Sequence, residues 1–141
     1  MSHTYRFEDG LLVIKVSGEC YIEELKSAIL EAFADPDFCS GIFPLIDIRE
    51  VASLPSASTE IQDFVRFFGT VKEKLSPRMA FVVNSLGHYG VARMLSTYAH
   101  LRNNQDIKVF YNIDEARRWL SSQLVRLDHT TTPKSVRAGK S

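Results

Sequence analysis

The sequence predicts an α/β sandwich: a single domain in the order β-β-α-β-α-β-α-β-α, with a mostly parallel sheet and an N-terminal hairpin. Three observations carry this. Two β-prone runs, Thr4–Phe7 and Leu11–Val16, flank Glu8-Asp9-Gly10, the turn chemistry of a tight hairpin. Three later apolar runs, at 42–48, 79–83 and 107–111, alternate with stretches whose apolar residues recur at helical spacing. The middle run, Met79-Ala80-Phe81-Val82-Val83, is continuous, as in a strand covered on both faces. Strands that alternate with helices in this way pair in parallel, each helix carrying the chain back to the starting edge.

Taken in order, Ile22, Leu25, Ile29, Ala32 and Phe33 mark the buried face of a first helix, opposite Glu23, Glu24 and Glu31. It stops before Asp35-Pro36, because the residue before a proline disfavours the helical region. The next strand is expected to be buried over Leu45–Ile48. A polar loop then leads to a helix start capped by hydroxyls from Ser53, Ser56, Ser58 and Thr59. Ile61, Phe64, Val65, Phe68, Val71 and Leu75 give one face of a long helix, stopped at Ser76-Pro77. A third helix follows Asn84-Ser85-Leu86-Gly87, with Val91, Met94, Leu95, Tyr98 and Leu101 expected in the core. Asn112, three residues before Glu115, signals the start of the last helix, packed through Ala116, Trp119 and Leu120. Residues 1–125 thus form the domain. Residues 126–141 lack periodic apolar positions and are expected to be a flexible basic tail.

The chain has 141 residues, enough for one sizeable core. Lys plus Arg and Asp plus Glu are 17 each, so no overall field favours nucleic acid or an anionic surface. The charge is uneven, however: 126–141 holds Arg126, Lys134, Arg137 and Lys140 against Asp128, which leaves the body acidic. Cys20 and Cys39 have no CxxC spacing and read as packed free thiols. No signal-peptide pattern opens the chain, and no apolar run approaches the roughly 20 residues that span a bilayer. A cytoplasmic protein is the expectation.

The element order and several residues resemble the STAS domain family, the fold of anti-sigma factor antagonists, in its SpoIIAA-like branch. The resemblance covers about residues 5–124. It rests on Leu45-Ile46-Asp47-Ile48, Phe81-Val82-Val83, Val91-Ala92-Arg93-Met94-Leu95, Val109-Phe110-Tyr111 and Asp114-Glu115-Ala116. In that family a central strand ending in Asp leads through a short loop to a phosphorylatable Ser at a helix start. Counting along the loop puts Ser56 at that position. The family's loop usually reads Asp-Ser-[Ser/Thr/Ala]-Gly-Leu; here it reads Pro55-Ser56-Ala57-Ser58-Thr59. The resemblance implies a non-enzymatic regulatory or interaction domain, with a protein partner, a regulatory kinase or a second copy of itself.

Other candidate chemistry gathers at the same carboxyl edge of the sheet, where open α/β sheets meet their ligands. Asp47 and Arg49 lie two apart and share a face if the strand persists to Arg49, as a local ion pair or as a polar anchor for a ligand. Gly87, His88 and Gly90 open a helix and could bring backbone N–H groups to an anion, or simply allow close packing. The candidate binding set is therefore Asp47, Arg49, Ser53, Ser56, Ser58, Thr59, Gly87, His88 and Gly90. The alternative function is a small-molecule or lipid-binding module using that edge for an anionic or lipid ligand. No GxGxxG or Walker pattern is present, no glycines flank a serine as a nucleophile elbow requires, and the four histidines share no metal-ligand spacing. No cofactor, metal or catalytic residue is expected. Phe67, beside the core residues Phe64 and Phe68, is a candidate for a self-association surface.

Overall fold

Asp9 and Gly10 both adopt positive φ, 51° and 80°, the backbone a two-residue hairpin turn demands. They join β1 (Ser2–Glu8) to β2 (Leu11–Glu19) in an antiparallel pair. The remaining elements follow the expected order: α1 (Ile22–Phe33), β3 (Phe43–Ser53), α2 (Ser58–Thr70), β4 (Arg78–Val82), α3 (Leu86–Asn103), β5 (Asp106–Phe110) and α4 (Ile113–Thr131). The computed structural model describes residues 1–131, with 123–131 as backbone only. The expected tail at 126–141 meets α4 as far as Thr131, and its remainder lies outside the described residues.

The strands stand in the sheet in chain order, β1-β2-β3-β4-β5, with every pair after the hairpin parallel. Because the sheet grows in one direction, right-handed crossovers put α1, α2 and α3 on one face. The core divides accordingly. Leu12, Ile14, Ile46, Ile48 and Phe81 pack with Leu25 and Ile29 of α1, Phe64 and Phe68 of α2, and Leu95 and Ala99 of α3. Leu11, Val13, Phe43, Leu45, Ala80 and Val82 face the other way, onto Ala116 and Leu120 of α4. Burying a side chain such as Phe68 or Leu45 fully is worth about 1.5–3 kcal/mol each. Strand order never reverses, so the sheet has no switch point of the kind where doubly wound folds open a ligand crevice.

Several local expectations are corrected. β3 does not end at Ile48 but runs to Ser53, since β2 also continues to Glu19 and the two stay paired. The pairing absorbs two register shifts, at Lys15/Ser17 and Gly18/Glu19, and Gly18 takes φ +82° beside the second. α2 stops at Thr70, short of Leu75, which instead bridges Ile42 as a short strand contact. In α3 the buried positions are Ala92, Leu95 and Ala99, whereas Met94 and Leu101 are exposed and Val91 and Tyr98 half-buried. Small alanines let this helix lie close to the sheet, which turns the larger side chains outward. Asn112 behaves as expected, its Oδ1 accepting the Glu115 N–H at 3.0 Å. Phe67 is half-buried, stacked on Phe64 with the Lys26 ammonium 5.9 Å from its ring centroid.

Candidate functional site

The carboxyl edge is built by the ends of β2, β3, β4 and β5 and by the loops that leave them. Past Asp47, β3 has no partner on its β4 side, so β2 and β3 project together as a two-stranded ribbon. The ribbon closes where the Cys20 N–H donates to the Ser53 carbonyl at 3.1 Å. Leu54 to Ala57 then cross over the helix side of the sheet to reach α2.

Side-chain alternation splits the expected site between the two faces of the sheet. Asp47 shares the α4 side of β3 with Phe43 and Leu45, and it is only 3% exposed. Arg49, two residues on, clasps it. Its Nε donates to Oδ1 and its Nη2 to Oδ2, both at 2.9 Å, and its own backbone N–H reaches Oδ1 at 3.1 Å. Burial pushes the Asp47 carboxyl up, but the Arg49 hydrogen bonds and the charges of Arg49 and Lys15 outweigh it, holding it below the usual carboxylate range. The Arg49 guanidinium is raised in return, chiefly by the hydrogen bonds to Asp47. The two side chains satisfy each other as a bidentate pair, its carboxylate buried and its guanidinium partly open to solvent.

Ser53, Ser56, Ser58 and Thr59 lie on the opposite, helix side, and all four are exposed. The expected hydroxyl cap is absent. The residue at the N-cap position of α2 is Ala57, extended at φ −68° and ψ 137°, with no side-chain hydrogen bond to the first turn. Ser58 is already helical; its Oγ accepts from Gln62 Nε2 at 2.9 Å and lies 3.3 Å from the Tyr98 hydroxyl. Ser56 makes no side-chain hydrogen bond among the described residues, so its hydroxyl stands in water before a helix whose first N–H groups lack a side-chain partner.

The Gly87-His88-Tyr89-Gly90 turn of α3 belongs to the same edge. Ser85 caps it, its Oγ accepting the His88 N–H at 3.1 Å. Neither glycine is there for close packing, since a Cβ at Gly87 or Gly90 would meet no heavy atom within 4 Å. His88 is half-buried, and its Nδ1 is shielded from water without a hydrogen-bond partner among the described residues.

Sequence reasoning missed three residues here. Tyr21, Leu86 and Tyr111 follow the carboxyl ends of β2, β4 and β5, and each is exposed, Leu86 to 83%. Tyr111 stacks on Tyr89 with ring centroids 5.3 Å apart, and the Tyr21 hydroxyl donates to Glu19. A large apolar side chain at a strand-to-helix junction, where turn residues are usual, was the available signal.

Beneath Leu54 and Pro55 lies an apolar cavity of about 40 Å³, walled by Cys20, Leu25, Ile48, Phe64, Phe81 and Leu95. Small-molecule sites occupy roughly 300–1,000 Å³, so this space is too small for one as it stands. Burial and the nearby Glu24 carboxylate push the Cys20 thiol up to about 11, which leaves it protonated and unreactive at neutral pH. Cys39 is exposed and precedes β3 at the opposite edge of the sheet, so the two thiols are remote from one another. Among the described residues no three His, Cys, Asp or Glu side chains come together as a metal-holding set, and no helix is long and apolar enough to cross a membrane.

The sheet with its hairpin edge, three helices on one face and one on the other defines a class: the SpoIIAA-like α/β fold, which is the STAS fold. The chain is similar in structure to an uncharacterised DUF3478-family protein with a SpoIIAA-like fold from Shewanella loihica PV-4. The TM-score is 0.54 at 20% sequence identity, over 84% of this chain and 92% of that one. No protein-family model matches the sequence, and no curated protein matches it.

Proposed function

We propose that this chain is a non-enzymatic regulatory domain of the STAS kind that meets a protein partner through the carboxyl edge of its sheet. The observation that carries the reading is the Ser56 loop. An exposed hydroxyl with no partner among the described residues sits two residues before α2, at a helix start without a side-chain cap. Exposed Tyr21, Leu86 and Tyr111 stand on the same edge, the kind of aromatic and apolar anchors that protein interfaces favour. Ser56 is the phosphoacceptor in this reading, and a regulatory kinase is its second partner. A phosphate there gains from the free N–H groups and dipole of α2, yet adds charge in the middle of an apolar contact surface, which expels an apolar or acidic partner. A cytoplasmic setting suits the free thiols, one of them exposed.

The test is phosphopeptide mapping of the protein isolated from its native cells, with partner affinity measured for Ser56→Ala and Ser56→Asp. Modification at Ser56, with the aspartate variant binding at least tenfold more weakly than the alanine variant, is the expected result. An unmodified Ser56 with both variants binding as the parent does removes the switch.

The cavity under Leu54 and Pro55 favours a second reading, as a carrier of a small apolar or lipid ligand. The loop from Leu54 to Ala57 would have to lift to enlarge the space between α1, α2 and α3. Native mass spectrometry of the protein from its source separates the two: a co-purified lipid supports the carrier, a stoichiometric protein the regulator.

A further inference from the structure

The outer surface of the α1-α2-α3 layer has an uneven distribution of charge that matches its own rotated image. α3 contains no Asp or Glu, and it exposes Arg93, His100 and Arg102 around the apolar side chains Met94 and Leu101, the latter 76% exposed. Neither arginine forms an ion pair among the described residues. At the other side of the layer α1 carries Glu23, Glu24 and Glu31 around Leu30, and acidic Asp35 and Asp37 follow it. Glu23, Glu24 and Glu31 reach Lys26, the N-terminal amine and His3 in their own chain, yet each keeps half or more of its side chain in solvent. α2 lies between them, touching both, and shows Asp63 and Arg66.

We infer that this helix layer is a docking face for a second copy of the chain, joined about a two-fold axis that runs along α2. That rotation exchanges left and right across the layer while keeping helix direction, so each copy's acidic α1 lies on its partner's basic α3. Both helices start at the carboxyl edge and run the same way, and equal counts along them come to similar heights. Leu30 and Met94 are each the ninth residue of their helix and therefore meet. Arg93, the eighth residue of α3, lies within one helical turn of the height of Glu31, the tenth of α1, and Arg102, beyond the end of α1, comes near the Asp35–Asp37 connector. Leu86 comes level with Tyr21, which is also exposed.

The alternative two-fold axis, across the helices, would set α1 on α1 and α3 on α3, like charge on like. The charge layout rejects it. An isologous pairing of this kind closes as a dimer and leaves no free end to polymerise. Three helices about 10 Å apart and about 20 Å long give a footprint on the order of 600 Å² per copy. A standard interface buries about 800 Å² per partner, so the dimer is expected to be weak, with dissociation in the micromolar range. This face adjoins the Ser56 loop at the carboxyl edge through Tyr21 and Leu86, but it rests on the charge of α1 and α3 and stands whether or not that loop is a switch.

Sedimentation velocity of the full chain, from about 10 to 500 µM, tests the inference. The expected result is a monomer–dimer equilibrium that weakens when salt is raised from about 50 to 500 mM, as exposed charge pairs require. Leu101→Glu and Arg93→Glu each weaken it at least tenfold, and Glu31→Arg restores association in the Arg93→Glu background. These positions are exposed, and circular dichroism checks that the variants fold. A monomer throughout the range overturns the inference, as does a dimer that ignores both variants. Binding of the monomer to phosphatidylglycerol vesicles, lost in Leu101→Glu, overturns it too and makes the stripe a membrane face.

Discussion

Replacing Arg49 by methionine removes the partner of a buried carboxylate while keeping much of the arginine stem's volume. Asp47 then loses two charge-assisted hydrogen bonds of 2.9 Å and keeps only the one from the residue 49 backbone N–H. Lys15, the other nearby cation, is engaged by Glu50 at 3.0 Å. Breaking a fully buried ion pair from one side costs about 3–5 kcal/mol. The Arg49 side chain is 37% exposed, so water reaches the vacated place, and the backbone hydrogen bond survives. A loss of about 2 kcal/mol is therefore expected, with a Tm fall of roughly 5–10 °C for a domain of this size. The pH dependence gives the sharper test. In the parent the folded Asp47 carboxyl is lowered, so its contribution is complete above the ordinary aspartate range and is lost as pH falls through the lowered value. In the variant, burial is no longer outweighed, the folded carboxyl is raised, and the native state takes up a proton first on acidification. The stability deficit of Arg49→Met is thus largest near neutral pH and narrows toward about pH 4. Urea unfolding of both proteins across that range reads it directly. A deficit that stays constant with pH, or no deficit at all, would refute the assignment of Asp47 as a charged, arginine-held carboxylate.

Other expectations follow from single positions. Ala57→Ser supplies the cap that α2 lacks and should raise stability by about 0.5–1 kcal/mol in urea unfolding; no gain would mean that the first turn finds its partners elsewhere. Gly10→Ala forces a Cβ into the φ +80° position of the hairpin turn and should cost about 1 kcal/mol or more, read as a lowered Tm. In the native protein at neutral pH a maleimide should label Cys39 and spare Cys20 until the chain unfolds. Equal labelling of both thiols would contradict the burial and raised pKa assigned to Cys20.

Elements whose residues serve one structural purpose could be read from the sequence. Asp9-Gly10 is needed for a tight turn, Asp35-Pro36 ends α1, and Asn112 caps α4, each through local chemistry. The errors fall where tertiary structure reuses a residue. Leu75 continues the apolar spacing of α2 but is taken by a bridge to Ile42. Arg49 and Glu50 look like the start of a loop, yet the strand continues because β2 pairs past them and Asp47 supplies the arginine's partner. In α3 the apolar arc is broad, and spacing alone could not say that Ala92 and Ala99 face the sheet while Met94 and Leu101 face solvent. The candidate site was legible as a list of residues, since Ser53 to Thr59 and Gly87 to Gly90 do gather at one edge. Its division was not, because a strand's two faces are assigned only once its register is known: Asp47 and Arg49 alternate onto the face of β3 that carries Phe43 and Leu45, away from Ser56.

Hydrogen–deuterium exchange on the chain alone and with any protein that co-purifies with it stoichiometrically tests the central proposal, that the carboxyl edge is the working surface. The account predicts slowed exchange on binding at Ser53–Thr59 and Asn84–Gly90, with the hairpin turn at Asp9-Gly10, on the opposite edge, unchanged. A stoichiometric partner that protects the hairpin edge and leaves both of those segments as they were would contradict it.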